Sequence, residues 1–211
     1  MCGRFFLADN GDSGELRGIL DQLNRRGASV KTGEIFPTDT VPALANNRNQ
    51  CVTPFAMQWG YTLPDGRLLI NARSETAGEK PLFQDAMRQH RCLIPATNYF
   101  EWEKRGKEKI KYAIRQADAG LLYMAGLYRM ENGRAVFTIL TREPAAQIRF
   151  IHNRMPVILT SGAKQDWLNL PSLHCLYYRI PCPCKVRYER ARFSYRIVLA
   201  ERYEVIMASP K

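Results

Sequence analysis

A chain of 211 residues with 31 Lys and Arg against 20 Asp and Glu carries a formal charge of +11. The length suits one domain with a core of its own rather than two, and the charge favours a polyanionic partner, nucleic acid first. No apolar run approaches a membrane span, and no basic region followed by an apolar stretch opens the chain, so a soluble, cytoplasmic protein without a membrane partner is expected. Six cysteines are too sparse to suggest a disulfide scaffold.

The opening Met1-Cys2-Gly3-Arg4-Phe5 puts a cysteine where removal of the initiator methionine would make it the chain end. Such a residue carries an amine and a thiol on adjacent carbons, titrating near about 8 and about 8.5. An aldehyde could form an imine with the amine and then be captured by the thiol as a five-membered thiazolidine. Acyl transfer, with the terminal amine as base, is the other use of an N-terminal nucleophile. In a first strand, Cys2 could equally be a small buried hydrophobe.

Residues 12 to 27 read as a helix, capped by Asp12 with Glu15 three positions on, carrying Leu16, Ile19, Leu20 and Leu23 on one face and stopping at Gly27. The Pro- and Asn-rich stretch from 34 to 54 reads as loops around a short strand at Thr40 to Leu44. A strand at Phe55 to Tyr61 ends at the Pro64-Asp65-Gly66 turn. Asn71 to Thr76 begins where the apolar Leu68-Leu69-Ile70 stops, a place where a scaffold can present polar groups. A helix from Pro81 to Gln89 turns Leu82, Phe83, Ala86 and Met87 inward.

Cys92 to Pro95 and Tyr99 to Trp102 are strand material broken by a bend, followed by a basic turn at Lys104 to Lys109. Ile110 to Ile114, Leu121 to Tyr128 and Ala135 to Leu140 read as three consecutive antiparallel strands. A short helix at Pro144 to Phe150, a strand at Val157 to Leu159 and a helix capped by Ser161 follow. The Arg- and Tyr-rich tail holds an alternating strand at Phe193 to Leu199. Strands outnumber helices without regular alternation, which predicts an α+β domain with a large, curled, mainly antiparallel sheet and flanking short helices.

Few residues are available for acid-base work. Glu101 lies among Tyr99, Phe100 and Trp102, and a carboxylate turned inward there would be desolvated, as a general acid near neutral pH requires. Facing water, it would merely be the polar member of a strand. His152 precedes Asn153-Arg154-Met155-Pro156 just before a strand; it is a proton-transfer candidate or a histidine satisfying a loop carbonyl. Arg154 suits a phosphate or a carboxylate, and a phosphate contact would make it a nucleic-acid-binding residue. His174-Cys175 with Cys182-Pro183-Cys184 lacks the usual C-x2-C pairing of a zinc site, so neither metal nor cofactor is expected. Basic residues interleaved with Trp59, Tyr61, Tyr99, Phe100 and Trp102 would suit single-stranded nucleic acid.

Five segments in order, MCGRF, WGY at 59 to 61, INARSET at 70 to 76, CLIPATNYFEW at 92 to 102 and IHNRMPVIL at 151 to 159, resemble the SRAP family. Its members are SOS response-associated peptidases, also described as abasic-site processing proteins. The resemblance covers roughly residues 1 to 170, taken as the catalytic and DNA-binding domain; 171 to 211 is a divergent basic segment packed on or extending it. It implies a single, barrel-like α+β domain, monomeric and nucleoid-associated, with the processed N-terminus at the floor of a cleft for single-stranded DNA containing abasic sites. In that pattern Cys2 forms a thiazolidine crosslink with the opened sugar and Asn71 positions the cysteine or the sugar. Glu101 is the acid-base group, and His152 is the second proton-transfer group. Arg4 and Arg73 contact DNA phosphates, and Trp59 belongs to a base-stacking wall. A thiol peptidase or autoprocessing activity through Cys2, and a noncovalent single-stranded DNA-binding module, are the alternatives.

Overall fold

Short apolar runs punctuated by Gly, Pro and Asn form fifteen strands and four helices among the described residues, which in this computed structural model are 2–8, 14–116, 120–169 and the backbone of 203–207. The first half runs β1 (Phe5–Leu7), α1 (Gly14–Asn24), β2 (Gly33–Ile35), β3 (Thr40–Asn46), β4 (Val52–Trp59), β5 (Tyr61–Thr62), β6 (Leu68–Leu69) and β7 (Asn71–Arg73). The chain continues with α2 (Ser74–Ala77), α3 (Pro81–Gln89), β8 (Arg91–Ala96), β9 (Asn98–Arg105), β10 (Glu108–Gln116), β11 (Leu122–Glu131) and β12 (Arg134–Arg142). After a 3-10 turn at Ala146–Ile148 come β13 (Met155–Pro156), β14 (Ile158–Leu159), α4 (Ser161–Asn169) and β15 (Tyr203–Met207).

Strands β12, β4, β3, β8 and β11 pair in that order, and β11 pairs back onto β12, so the sheet closes into a barrel. Closure removes the exposed edges an open sheet would present. Pairing is antiparallel except where β4 and then β7 lie parallel to β12. A second antiparallel sheet, in the order β15, β10, β9, β1, β2, lies beside it. The bend between β8 and β9 carries the chain from one sheet to the other. It is held by Thr97, whose backbone N–H donates to the Phe6 carbonyl and whose hydroxyl accepts from the Ala8 N–H. In the core Phe5, Leu7, Ile35, Trp59, Tyr61, Tyr99, Ile94 and Phe137 are fully buried.

The α+β class and the curled, mainly antiparallel sheet are as the sequence predicts, with several local differences. The 34 to 54 stretch is two paired strands, β3 and β4, although it contains Pro42 and Pro54. A proline removes only one ladder donor, and the pairing of β3 with β8 falls at Leu44, away from Pro42. The three strands expected from 110 to 140 are not consecutive neighbours: β10 pairs with β9 in the second sheet, whereas β11 and β12 form a hairpin in the barrel. Strands β9 and β10 also run through most of the supposed basic turn, leaving a reversal at Gly106-Lys107. Leu82 is exposed, because the buried face of α3 is narrowed to Phe83, Ala86 and Met87. The helix expected at Pro144 to Phe150 is the single 3-10 turn. The Asp12 cap and the strand at Phe193 to Leu199 lie outside the described residues.

Strand β12 changes partner from β4 to β7 at Gly60, whose N–H donates to the Phe137 carbonyl at 2.7 Å and whose φ of 115° suits glycine. Gly126 is needed for space instead. A Cβ there would lie 2.9 Å from Cys92 Sγ and 3.2 Å from the Thr138 carbonyl, inside the barrel wall. Gly126→Ala is therefore expected to destabilise by about 1–3 kcal/mol through overpacking. In a chain of this size each kcal/mol should lower the melting midpoint by ~2–4 °C; an unchanged thermal transition would contradict the packing described.

Candidate active site

The site is assembled from four separate parts of the chain. Strand β1 brings in the N-terminus: Phe5 pairs with Ile35 on one side and Tyr99 on the other, which anchors Cys2 three residues earlier. The Cys2 side chain is fully buried, and its thiol sits 3.8 Å from the Arg4 carbonyl. Desolvation, reinforced by the nearby Glu101 carboxylate, pushes the thiol well above its ordinary range, so it is held protonated at neutral pH.

Asn71 opens β7, which β12 grips in parallel register through Ile139, Leu140 and Thr141. Its amide nitrogen donates to the Cys2 carbonyl at 2.8 Å. The side chain is buried, and Oδ1 has no hydrogen-bond partner among the described residues, which leaves an acceptor beside the first residues of the chain. Glu101, in β9, is only 4% exposed. It faces the same side of the sheet as Tyr99 and its cross-strand partner Tyr112. The structure therefore makes it the inward-facing carboxylate.

His152 is half-buried at the end of the turn that follows the 3-10 segment. Its Nδ1 accepts the backbone N–H of Arg154 at 3.0 Å, so the neutral ring carries its proton on Nε2. Arg154 then fastens this loop to the barrel. Its guanidinium makes two hydrogen bonds to Glu75, at 2.8 and 2.7 Å, and one to the Thr141 carbonyl at 2.6 Å. Burial disfavours the charged form of Glu75, but the hydrogen bond and charge of Arg154 outweigh it and hold the carboxyl below its ordinary value. Thr141 in turn donates its hydroxyl to the Ala72 carbonyl. One arginine thus couples the His152 loop to α2 and to the strand that holds Asn71.

One of the expected DNA contacts is corrected here. Trp59 cannot form a stacking wall: it is 0% exposed, tilted against Phe5 at 5.2 Å and stacked on Phe137 at 6.3 Å. Its indole N–H donates to the Ile70 carbonyl at 3.0 Å, so it braces the residue before Asn71. Arg154 is 14% exposed and pairs with Glu75, while its Nε has no hydrogen-bond partner among the described residues.

Arg73 is exposed at the end of β7. Arg4 is part-exposed and pairs with Glu34 at 3.2 Å while lying over Phe36 and Trp102. These contacts place it on the opposite face of the sheet from Glu101, since Phe100 and Trp102 alternate with it. Among the described residues no cluster of His, Cys, Asp or Glu could hold a metal ion; His174, Cys175, Cys182 and Cys184 lie outside them. Nor is any described helix long and apolar enough to cross a membrane.

Glu75, Thr141 and Glu34 were not singled out from sequence. Glu75 lies within the INARSET segment, four residues after Asn71. Its role depends on an arginine 79 residues away, which no local pattern announces.

Known proteins share this framework. The profile of the SOS response associated peptidase (SRAP) family matches residues 1–176. The chain is 34% identical over 178 residues to the abasic site processing protein YedK of Escherichia coli K12, covering 80% of this chain and 79% of that protein. It is 33% identical over 181 residues to the abasic site processing protein YobE of Bacillus subtilis 168, covering 80% and 82%. Among solved structures, a Bordetella bronchiseptica protein matches with a TM-score of 0.69 at 20% identity, over 99% of this chain and 100% of that one, and so shares the fold. A family match across most of the chain, together with relatives this similar over most of their length, means that this protein belongs to the SRAP family.

Proposed function

We propose that this protein processes abasic sites in single-stranded DNA by capturing them covalently through Cys2, once Met1 has been removed. The observation that carries the reading is the convergence, at the chain's beginning, of a buried thiol, the Asn71 amide on the Cys2 carbonyl and the inward-facing Glu101. The relatives in Escherichia coli, Bacillus subtilis and Xenopus tropicalis are named abasic site processing proteins, which points to the same substrate class. The chain's charge of +11 suits a polyanion.

Removal of Met1 turns the Cys2 nitrogen into an amine, for which Asn71 Oδ1 is an available acceptor. An opened abasic sugar presents an aldehyde. The amine adds to it, and loss of one water gives an imine. The thiol then adds to the imine carbon: a C–S bond forms, the C=N π bond becomes the nitrogen lone pair, and the thiol proton passes to nitrogen. The product is a thiazolidine, and one water is the only molecule released.

The amine is the first nucleophile because its condensation with the aldehyde creates the imine carbon that the thiol then attacks. Glu101, close enough to act on the thiol electrostatically, is the base that takes the thiol proton and returns it to nitrogen. His152, with its proton on Nε2, is the donor to the sugar oxygen. Arg73, exposed beside Asn71, is the phosphate contact. Holding amine and thiol near one carbon supplies the proximity that neither has in dilute solution.

The family description names a peptidase. A thiol peptidase works through a thiolate stabilised below its ordinary pKa. The Cys2 side chain is fully buried beside the Glu101 carboxylate, surroundings that oppose a thiolate and so disfavour that use.

Mixing the mature protein, verified by intact mass as lacking Met1, with an abasic single-stranded oligonucleotide should give a denaturation-resistant adduct whose mass is the sum of its parts less one water. Cys2→Ala should abolish it; an adduct that survives this change would rule the reading out. The Arg154 clamp generates a second expectation. Glu75→Gln should slow adduct formation about tenfold in the wild-type background, through loss of a charge-assisted pair whose hydrogen bonds are worth ~1.5–3 kcal/mol. In a His152→Ala background it should add little, because the two residues act through one loop. Because the Glu75 carboxyl is held below its ordinary value, its stabilising contribution is complete above the unfolded carboxylate range and is lost as pH falls through the folded value. The melting difference between wild type and Glu75→Gln should be constant from about pH 6 to 8 and shrink below about pH 4; a difference that grows on acidification would contradict the clamp.

A further inference from the structure

The turn that delivers His152 also carries the most exposed aromatic ring near the site. Phe150 is 57% exposed, two residues before His152, and directly follows Arg149. A lone exposed apolar side chain is ordinary on any protein surface. Three features set this one apart. Its ring stands edge-on to Tyr112 with centroids 5.8 Å apart and planes at 88°. Tyr112 is directly opposite Glu101 in the β9–β10 register, so Phe150, Tyr112 and Glu101 occupy the same side of that sheet. Tyr112 is itself fixed, with its hydroxyl donating to Glu103 at 2.8 Å, so the ring beneath Phe150 cannot swing away.

Arg149 completes the pattern. It is exposed and makes no ion pair or side-chain hydrogen bond among the described residues, in contrast to Arg4, Arg129 and Arg154, whose charges are engaged by Glu34, Glu131 and Glu75. An exposed aromatic face beside an unengaged guanidinium is the combination that holds single-stranded nucleic acid, with a base on the ring and a phosphate on the cation. Its occupant is therefore a nucleotide, not an apolar protein surface: a bare apolar contact would leave Arg149 without a counter-charge.

We propose that Phe150 is the stacking platform for an intact base flanking the abasic sugar, with Arg149 holding the intervening phosphate. This rests on the reading of abasic DNA as the substrate and locates a neighbouring subsite. The platform lies on the His152 side of the site, so it sets how the sugar is presented to Glu101 and His152 without touching the reacting atoms. Phe150 is thus a positioning residue, and Tyr112 fixes its orientation.

The test uses oligonucleotides carrying one abasic site with 2-aminopurine next to it on either side. Binding is read with Cys2→Ala protein, which keeps DNA binding separate from covalent chemistry. The 2-aminopurine fluorescence on one side of the abasic site is expected to be quenched on binding, and Phe150→Ala introduced into that protein should relieve the quenching. With Cys2 intact, Phe150→Ala should slow adduct formation about tenfold at limiting DNA, the factor expected of one base–aromatic stack, and leave the rate at saturating DNA unchanged. Phe150→Trp should restore it. Replacing the flanking base with an abasic spacer should make wild type and Phe150→Ala react alike. Quenching that is indifferent to Phe150→Ala, or an equal loss on the spacer strand, overturns the platform. Quenching that depends on Phe150 while wild type forms no adduct would uphold the platform and remove the covalent reading instead.

Discussion

The arrangement of the site depends on one buried indole. Trp59 lies between Phe5, which anchors the N-terminal strand, and the Ile70 carbonyl, which fixes the entry to Asn71. Two segments 69 residues apart are thereby brought within one hydrogen bond, from Asn71 to the Cys2 carbonyl. A buried donor left without its acceptor costs more than an ordinary hydrogen bond contributes, so the indole and Ile70 are strongly held in register. The closed barrel supplies the rigid surroundings. Strand β12 grips β4 and β7 in succession, so the segment carrying Trp59 and the one carrying Asn71 share a single partner.

On the His152 side, charge is added to packing. The His152 loop is seated on the core by Ile148, Ile151 and Met155, and Arg154 ties it to Glu75 and Thr141 with a planar, two-pronged contact that a lysine could not reproduce. The backbone N–H of that same residue selects the histidine tautomer. Loop position and ring chemistry are therefore set together. The two devices meet at β12, where Thr141 bonds both to Arg154 and to the strand following Asn71.

The cationic surface is more selective than the charge of +11 suggests. Near the second sheet Arg4 and Lys111 share the Glu34 carboxylate, and both lie over aromatic rings. Arg73 at the end of β7 and Arg149 in the turn before His152 are exposed and make no side-chain hydrogen bond or ion pair closer than 4 Å among the described residues. Composition alone reports a sum, whereas recognition of a strand depends on which charges remain unpaired.

The residue types of the site were legible in the sequence because each is tied to a local pattern: a cysteine behind the initiator methionine, a polar run at a strand's end, a carboxylate among aromatics, a histidine before a strand. The fold class was legible for a similar reason, since short apolar runs and turn residues are local signals. The β10 partnership, the continuity of β3 and β4 across their prolines, and the inward burial of Trp59 were not, because each depends on which distant strand lies alongside. The strongest contrast is within one pair of residues. Trp59 and Arg154 both suit nucleic acid by chemistry, and tertiary structure directs one into the core and the other onto a carboxylate. A sequence by itself determines what groups a chain carries and how nearby ones are spaced; only closure of the barrel decides which of those groups are paired, buried or left facing a ligand, because burial and long-range pairing are properties of the packed whole.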